Sequence, residues 1–420
     1  RCLRQFQRAQ LRPQPDNPAL AEVEGIFTAR RAARGGVSSG PMDEAELSRA
    51  ITEVESTLYG LRRAAPIGRM IENLGLSPLE VETLVVAMSP HIDAPLSDVF
   101  SLLRGTPSRR GVDLSLVAQL YQLRRSDRLQ LLDALDPERP LLAWRMVQVI
   151  SSDSMEGYSS VNYRAIMPTF DVLSALCGRA ELAPALAKTS RIQRGPKRLD
   201  DLVLSDELRQ RAERLCSMAE QATNQQQVGH MPWLMFWGAK GIGKRELASR
   251  IAAHAGRSLL CFDPTMAEQG ALDDLLRRAQ REALLRGAVL YIGPLRGELL
   301  NDNGRELVKR IAAYPSMLVL GVEAIVPPRI TIDHSLQEVH LANPPEPARL
   351  VLWQRVIPES IRSEDLHLES IARAFHLAPG EIIDTGSEAR ELAALSPTGT
   401  INHDQLRAGI DRRLRNDLGD

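Results

Sequence analysis

The chain has 420 residues, 44% hydrophobic and 25% charged, and its 52 basic and 53 acidic side chains leave a formal net charge of -1. That length predicts roughly two to four domains of ~100 to 200 residues, each able to bury a core. The balance excludes an overall basic nucleic-acid binder, so any polyanion site has to be local.

Cys2, Cys177, Cys216 and Cys261 are scattered and form no C-x-x-C pair, which predicts free thiols rather than a metal or disulfide framework. No run approaches the ~20 apolar residues of a membrane helix, and no signal peptide heads the chain. The expectation is a cytoplasmic protein without a membrane partner. Because the first residue is Arg1, the sequence reads as processed or as a piece of something longer.

In chain order, residues 1–42 are polar, rich in Arg and Pro, and end in "GGVSSGP", as a flexible tail does, with one short helix at 18–34. Residues 43–188 read as a mainly helical domain. "MDEAELSRAITEVESTLYGLRR" has helical spacing, and "LSPLEVETLVVAMSP" offers Ser77 as N-cap, Pro78 at the first helical position and Glu80 three residues after the cap. Helices follow at 95–104, 113–122 and 127–135, and then "AWRMVQVISSDSMEGYSSVNYRAIMP" alternates around a polar, Gly-containing interruption. Small helices followed by a hairpin predict a winged helix. Its candidate recognition helix, "DLSLVAQLYQ", carries no basic residue, and its hairpin is acidic or neutral until Arg164. Nucleic acid is therefore not the expected partner, although a winged-helix DNA-binding regulator stands as one alternative.

Near residue 190 the chain changes character, and a module over 189–345 alternates strands with helices. "WLMFW", "SLLCF", "AVLYIG", "SMLVLGV" and "LQEVHLA" are short apolar runs separated by helical patterns, which predicts an α/β fold with a parallel sheet. Between the first run and its helix lies "GAKGIGKRE". Gly238, Lys240, Gly241, Ile242, Gly243, Lys244 and Arg245 occupy the positions of a phosphate-binding loop, in which backbone N–H groups and a helix N-terminus cradle phosphate oxygens. Lys244 is placed to reach the β- and γ-phosphates of ATP or ADP. Where the motif G-x-x-x-x-G-K-[ST] supplies a hydroxyl for Mg²⁺, Arg245 stands instead. Arg245 could neutralise phosphate charge or fill the loop. The run "AVLYIGPLRG" likewise places Gly293 and Pro294 where a Walker B acid would secure the metal, and Gly321 stands at the place of a polar residue facing the γ-phosphate. Glu298 and Asp302 lie downstream as weak substitutes. Mg²⁺ is doubtful on these residues, and turnover by this module alone is expected to be negligible.

The order of strand, phosphate loop, acid-position strand, sensor strand and a helical lid over 346–420 resembles the AAA+ ATPase family of P-loop NTPases over about 200–415. "LGLSPLEVETLVVAMSPHID", "DLSLVAQLYQL" and "DPERPLLAWRMVQVI" are similar to the amino-terminal region of large bacterial AAA+ proteins associated with extracellular contractile injection systems. The resemblance implies a degenerate first ATPase module acting in assembly or regulation of a protein-remodelling machine. Its partners would be proteins or other copies in a ring. The alternative it implies is an active remodeller whose hydrolysis resides in a tandem module after residue 420. Arg329 and Arg390 are candidate phosphate-facing arginines on this resemblance, whereas Arg349 and Trp353, in the hinge to the lid, are expected to pack.

Overall fold

The computed structural model describes residues 66–417 except 104–111, 122, 151–163, 180, 225–232, 269, 297–301, 313, 329–334 and 396–398, with a few further positions between 45 and 56. The tail at 1–42, its expected helix at 18–34 and nearly all of "MDEAELSRAITEVESTLYGLRR" lie outside the described residues. The chain divides into two compact units, one of residues 1–183 with 284–286, the other of 184–283 and 287–420.

In the first unit the helices are α1 (Pro66–Leu74), α2 (Pro78–Ile92), α3 (Pro95–Leu103), α4 (Leu114–Leu120) and α5 (Arg125–Asp133). Two strands, β1 (Val147–Ile150) and β2 (Ala165–Pro168), follow, and α6 (Phe170–Leu176) comes next. The start of α2 is fixed by the expected capping box. The Glu80 amide donates to Ser77 Oγ at 3.3 Å and the Ser77 amide donates to Glu80 Oε2 at 2.7 Å, which satisfies two otherwise orphaned donors and contributes about 1 kcal/mol. Strands β1 and β2 pair antiparallel from Val147 opposite Pro168 to Ile150 opposite Ala165. Val112 bridges Ile166 on the other side of β2.

Helix α4, the core of "DLSLVAQLYQ", buries Leu114, Leu116, Val117, Ala118 and Leu120 and exposes Ser115 and Gln119. In helix α5, which follows, Arg128, Leu129, Gln130 and Asp133 face solvent. Sequence periodicity cannot tell these two short helices apart, because each carries several leucines.

In the second unit, β3 (Ser190–Gln193) precedes α7 (Asp206–Asn224), β4 (Trp233–Gly238), α8 (Lys244–His254), β5 (Leu259–Phe262), α9 (Leu272–Arg286) and β6 (Val289–Leu295). Then come α10 (Asp302–Ala312), β7 (Leu318–Glu323) and β8 (Leu336–His340). The strands form one six-stranded sheet in the order β3-β5-β6-β7-β4-β8. Strand β3 pairs antiparallel with β5, and every other neighbour is parallel. Consecutive strands therefore need crossovers, and helices cover the sheet. Leu234, Phe236, Leu259, Cys261, Val289, Tyr291 and Val319 join Leu215 and Ala219 of α7 and Leu247 and Ile251 of α8 in one core. The intervening strand residues, Met235, Leu260, Phe262, Leu290, Leu318 and Leu320, are buried as well. That double burial explains why the strands read as continuous apolar runs rather than alternating ones. Cys216 and Cys261 are buried free thiols, which burial pushes up to about 12 and about 11 respectively.

The remaining helices, α11 (Glu346–Val356), α12 (Leu368–Ala374), α13 (Pro379–Leu395) and α14 (His403–Asp417), enclose their own core of Leu352, Trp353, Ile371, Ile382 and Ile410. Arg349 and Trp353 pack, as expected. Arg349 is 3% exposed, and its guanidinium donates to the Ala372 carbonyl at 3.0 and 2.9 Å and to the Pro344 carbonyl at 2.7 Å. One planar fork thus caps the last turn of α12 and ties it to the entry of α11. Among the described residues no helix is long and apolar enough to cross a membrane.

Replacing Arg349 by Met removes the donors and leaves buried carbonyls unsatisfied, for a loss of about 3 kcal/mol. Arg349→Lys recovers only part of it, because one ammonium does not reproduce the fork. Denaturant midpoints of the full chain, followed by tryptophan fluorescence, measure both losses; equal stability of the three proteins would refute the capping role.

Candidate functional site

The loop between β4 and α8 has the geometry of a cradle. Gly238 closes β4 at φ 148°, and a Cβ there would run into the carbonyl oxygen of Leu341. The residue after β8 therefore approaches the strand end where only glycine fits. Gly241 and Gly243 turn the chain with φ of 73° and 96°, in the left-handed region. Gly243 is the N-cap of α8, so the positive end of an eleven-residue helix faces the turn.

Each expected loop residue can now be placed. Lys240, Gly241, Ile242, Gly243, Lys244 and Arg245 line a cleft of about 580 Å³. Gly238 does not line it and serves the close approach to Leu341 instead. Ile242 is buried with the sheet core and anchors the turn. Lys240 and Arg245 are exposed. Lys244 is only 6% exposed, and its ammonium donates to the carbonyls of Gly238 and Ala239 at 2.9 and 2.7 Å. The loop thus wraps the lysine that would otherwise reach a phosphate. Burial pulls the Lys244 amine down to about 8, opposed by the nearby carboxylate of Glu323.

The opposite wall comes from the strand ends. Tyr291, Gly293, Pro294, Arg296 and Glu323 line the same cleft. The Gly293–Pro294 peptide is cis, and the pairing of β6 with β7 shifts register between Ile292 and Leu295. Tyr291 lies in β6, one strand from Gly321 in β7. A Cβ on Gly321 would overlap the Tyr291 hydroxyl, and one on Gly293 would lie 2.7 Å from the Gly321 carbonyl oxygen and 3.1 Å from that hydroxyl. The tyrosine ring lies where a side chain on Gly321 would project, whereas Gly293 is set first by the close backbone of Gly321 and second by the phenol. Burial holds this phenol neutral, above its ordinary range.

The apolar run "SMLVLGV" stops one residue short of the end of β7. The strand continues to Glu323, which stands opposite Gly238 in the parallel register. An acidic group therefore does occupy that strand end, two residues beyond Gly321. It is committed to Arg296, whose Nε donates to it at 2.9 Å. The signal was present, since Glu323 directly follows "MLVLGV", but a carboxylate next to a strand end is also an ordinary surface residue. Of the weak substitutes, Glu298 lies outside the described residues and Asp302 opens α10. Arg329 also lies outside them. Arg390 is not part of the cleft lining; it is on α13 and donates to Ser387 Oγ at 3.2 Å.

The third side joins a turn before α7 to the helical segment, and is apolar except for Asp201 and Asp384. Leu202, Val203 and Leu204 meet Leu352, Ile383 and Pro379 around the cleft. The Gly380 amide at the start of α13 donates to the Gly241 carbonyl at 2.8 Å, and a Cβ on Gly380 would come within 2.9 Å of that oxygen. The helical segment therefore docks directly on the loop through two glycines, a contact the sequence does not announce.

An apolar wall beside a glycine turn, a helix N-terminus and an ammonium suits a ligand with a flat ring at one end and phosphates at the other. The same residues do not suit Mg²⁺. It prefers hard oxygen ligands in an octahedral shell; Arg245, Gly293 and Pro294 stand where the P-loop resemblance would put metal-holding groups, and the carboxylates that line the cleft, Asp201, Glu246, Glu323 and Asp384, are each held by an arginine. Among the described residues no three His, Cys, Asp or Glu side chains are grouped to hold a metal.

Comparison with protein families matches residues 44–167 to "Winged helix domain, variant". The expected winged helix is thereby supported, and the match runs from before α1 into β2. No curated protein matches the chain. The second unit is a mixed α/β fold around a six-stranded, mostly parallel sheet.

Two outcomes follow. Gly321→Ala alone should cost upwards of ~2 kcal/mol through overpacking, and most of that cost should vanish in a Tyr291→Ala background. A double-mutant cycle by denaturant unfolding measures the coupling, and additive losses would show that the ring does not dictate the glycine. For pH, the sign follows from the depressed Lys244 amine, which loses its proton as pH rises through about 8. Anion binding restores the charged form and so takes up a proton above that pH. Affinity for ADP, titrated from pH 7 to pH 9.5, should fall above pH 8 by up to about tenfold per unit, and a Lys244→Arg protein should not show that fall.

Proposed function

We propose that residues 184–420 form a P-loop module of the AAA+ type that holds a nucleotide without hydrolysing it. The module serves as an assembly or regulatory element in a protein-remodelling machine. The observation that carries the reading is the pairing of a kept cradle with a filled metal side: Lys244 buried beneath a glycine turn at a helix N-terminus, and Tyr291 lying over Gly293 and Gly321. The strand order β5-β6-β7-β4-β8, with the loop leaving the end of β4, supports the P-loop assignment. The helical segment closing on Gly241 through Gly380 supports a lid.

The winged helix domain is assigned to protein contacts. Around the exposed face of α5, Arg124 and Arg128 are accompanied by Asp133, Asp136 and Glu138, with Arg139 after them. That face is mixed in charge, which favours a protein partner over phosphates. The resemblance of this region to AAA+ proteins encoded with contractile injection systems supports protein partners, or further copies of the chain, in the cytoplasm.

The test is a paired measurement on the full chain. Fluorescent ADP should bind, and Lys244→Ala should weaken it by about tenfold or more, the loss of one charge-assisted contact. Phosphate release from ATP should stay far below the ~1 s⁻¹ at the low end of ordinary turnover. Arg245→Thr should not restore it, because the acidic side of the metal site is still missing. Turnover near that rate, abolished by Lys244→Ala, would overturn the reading.

A further inference from the structure

The metal side of this cleft is not merely lacking ligands; it is occupied. Tyr291 is 4% exposed and lies in the core shared by the sheet, α7 and α8, yet its ring reaches the cleft wall. Its hydroxyl stands 3.1 Å from where a Cβ on Gly293 would be, and any side chain on Gly321 would collide with it. An aspartate at position 293 would thus have to enter space already held by the phenol and the Gly321 carbonyl. The neighbouring carboxylate, Glu323, is engaged by Arg296 at 2.9 Å with the guanidinium lining the cleft. On the facing side are Lys244, buried, and Arg245, exposed on the first turn of α8; the other carboxylates of the lining are held by arginines, Asp201 and Glu246 by Arg250 and Asp384 by Arg413.

We propose that Tyr291, seated on Gly293 and Gly321, plugs the metal subsite, and that the cleft takes a nucleoside di- or triphosphate as the metal-free polyanion. Lys244, Arg245 and Arg296 then supply the positive charge that a divalent cation supplies in hydrolysing P-loop sites. The inference rests on the reading of the cleft as a nucleotide site and adds to it the ionic form of the ligand and the identity of the blocking residue. The chemistry is consistent on both sides. Guanidinium groups meet phosphate oxygens by direct hydrogen bonds and need no ordered hydration shell, whereas Mg²⁺ dehydrates reluctantly and needs carboxylate or hydroxyl anchors to be held. A phosphate chain already wrapped by Mg²⁺ would present its shell of water to the Tyr291 ring and to Arg296, beside which the Glu323 carboxylate is already engaged by that guanidinium.

The experiment is an equilibrium titration of the full chain with fluorescently labelled ADP, in EDTA and in excess Mg²⁺. Equal affinity, or tighter binding in EDTA, supports the proposal. Binding at least about tenfold tighter with Mg²⁺ would overturn it while leaving the nucleotide site intact. Failure to bind in either condition would overturn the nucleotide reading and this inference together, so the two failures are distinguishable. Arg296→Ala, which changes an exposed side chain and threatens no core packing, gives a second measurement. Metal-free affinity should drop about fivefold or more, and an unchanged affinity would remove Arg296 from the charge assignment and refute the proposal.

Discussion

The close approach of Tyr291 to two glycines governs how the second unit can work. A buried ring that crosses from β6 over β7 forbids a Cβ at Gly321 and crowds one at Gly293. Close-packed interiors do not absorb an extra atom at such contacts without moving backbone or side chain. Three departures from a hydrolysing site, at positions 293, 294 and 321, are therefore not three separate accidents of sequence. Gly321 follows from one aromatic side chain, Gly293 from the nearby Gly321 backbone with the phenol beside it, and Pro294 extends the same irregular strand end where β6 slips register against β7.

The cradle side is held by backbone rather than by chemistry. Gly238 is needed by Leu341, Gly380 by Gly241, and the turn itself by positive φ at Gly241 and Gly243. These constraints fix the loop, dock α13 on it and join the helical segment to the sheet, whether or not a ligand is present. A glycine-rich turn of this kind is weak evidence for nucleotide binding on its own, because the fold would require the same glycines for packing alone.

The legibility of this site divides along the same line. Elements with strong local signals were readable: the capping box at Ser77 and Glu80, the buried runs that became β4 to β8, and the loop from Lys240 to Arg245. The antiparallel edge strand β3 was not, because four residues beside a Pro- and Lys-rich stretch carry no periodicity. How much of α4 is buried was not readable, because burial of a short leucine-rich helix depends on its neighbours. The cleft's far wall was missed for a reason of distance: Tyr291, Arg296, Glu323 and Gly380 meet the loop only through long-range sheet pairing and helix docking. In sequence, Gly293 and Gly321 show only that an acid and a polar residue are missing; in space they show what took the room.

What remains specific to ligand binding is the ammonium of Lys244. Burying a charge is costly unless it is fully hydrogen-bonded, and its partners are two loop carbonyls, with the amine drawn down towards neutrality. An apolar side chain of similar length would fill the same space at lower cost, and the glycine contacts would hold the turn without it. The loop geometry is thus satisfied by packing, whereas the lysine is not explained by packing. An anion in the cradle gives the ammonium stronger partners than two neutral carbonyls and returns it to its charged form. The same anion would find Arg245 exposed along the cleft and Arg296 beside it, the latter engaged by Glu323.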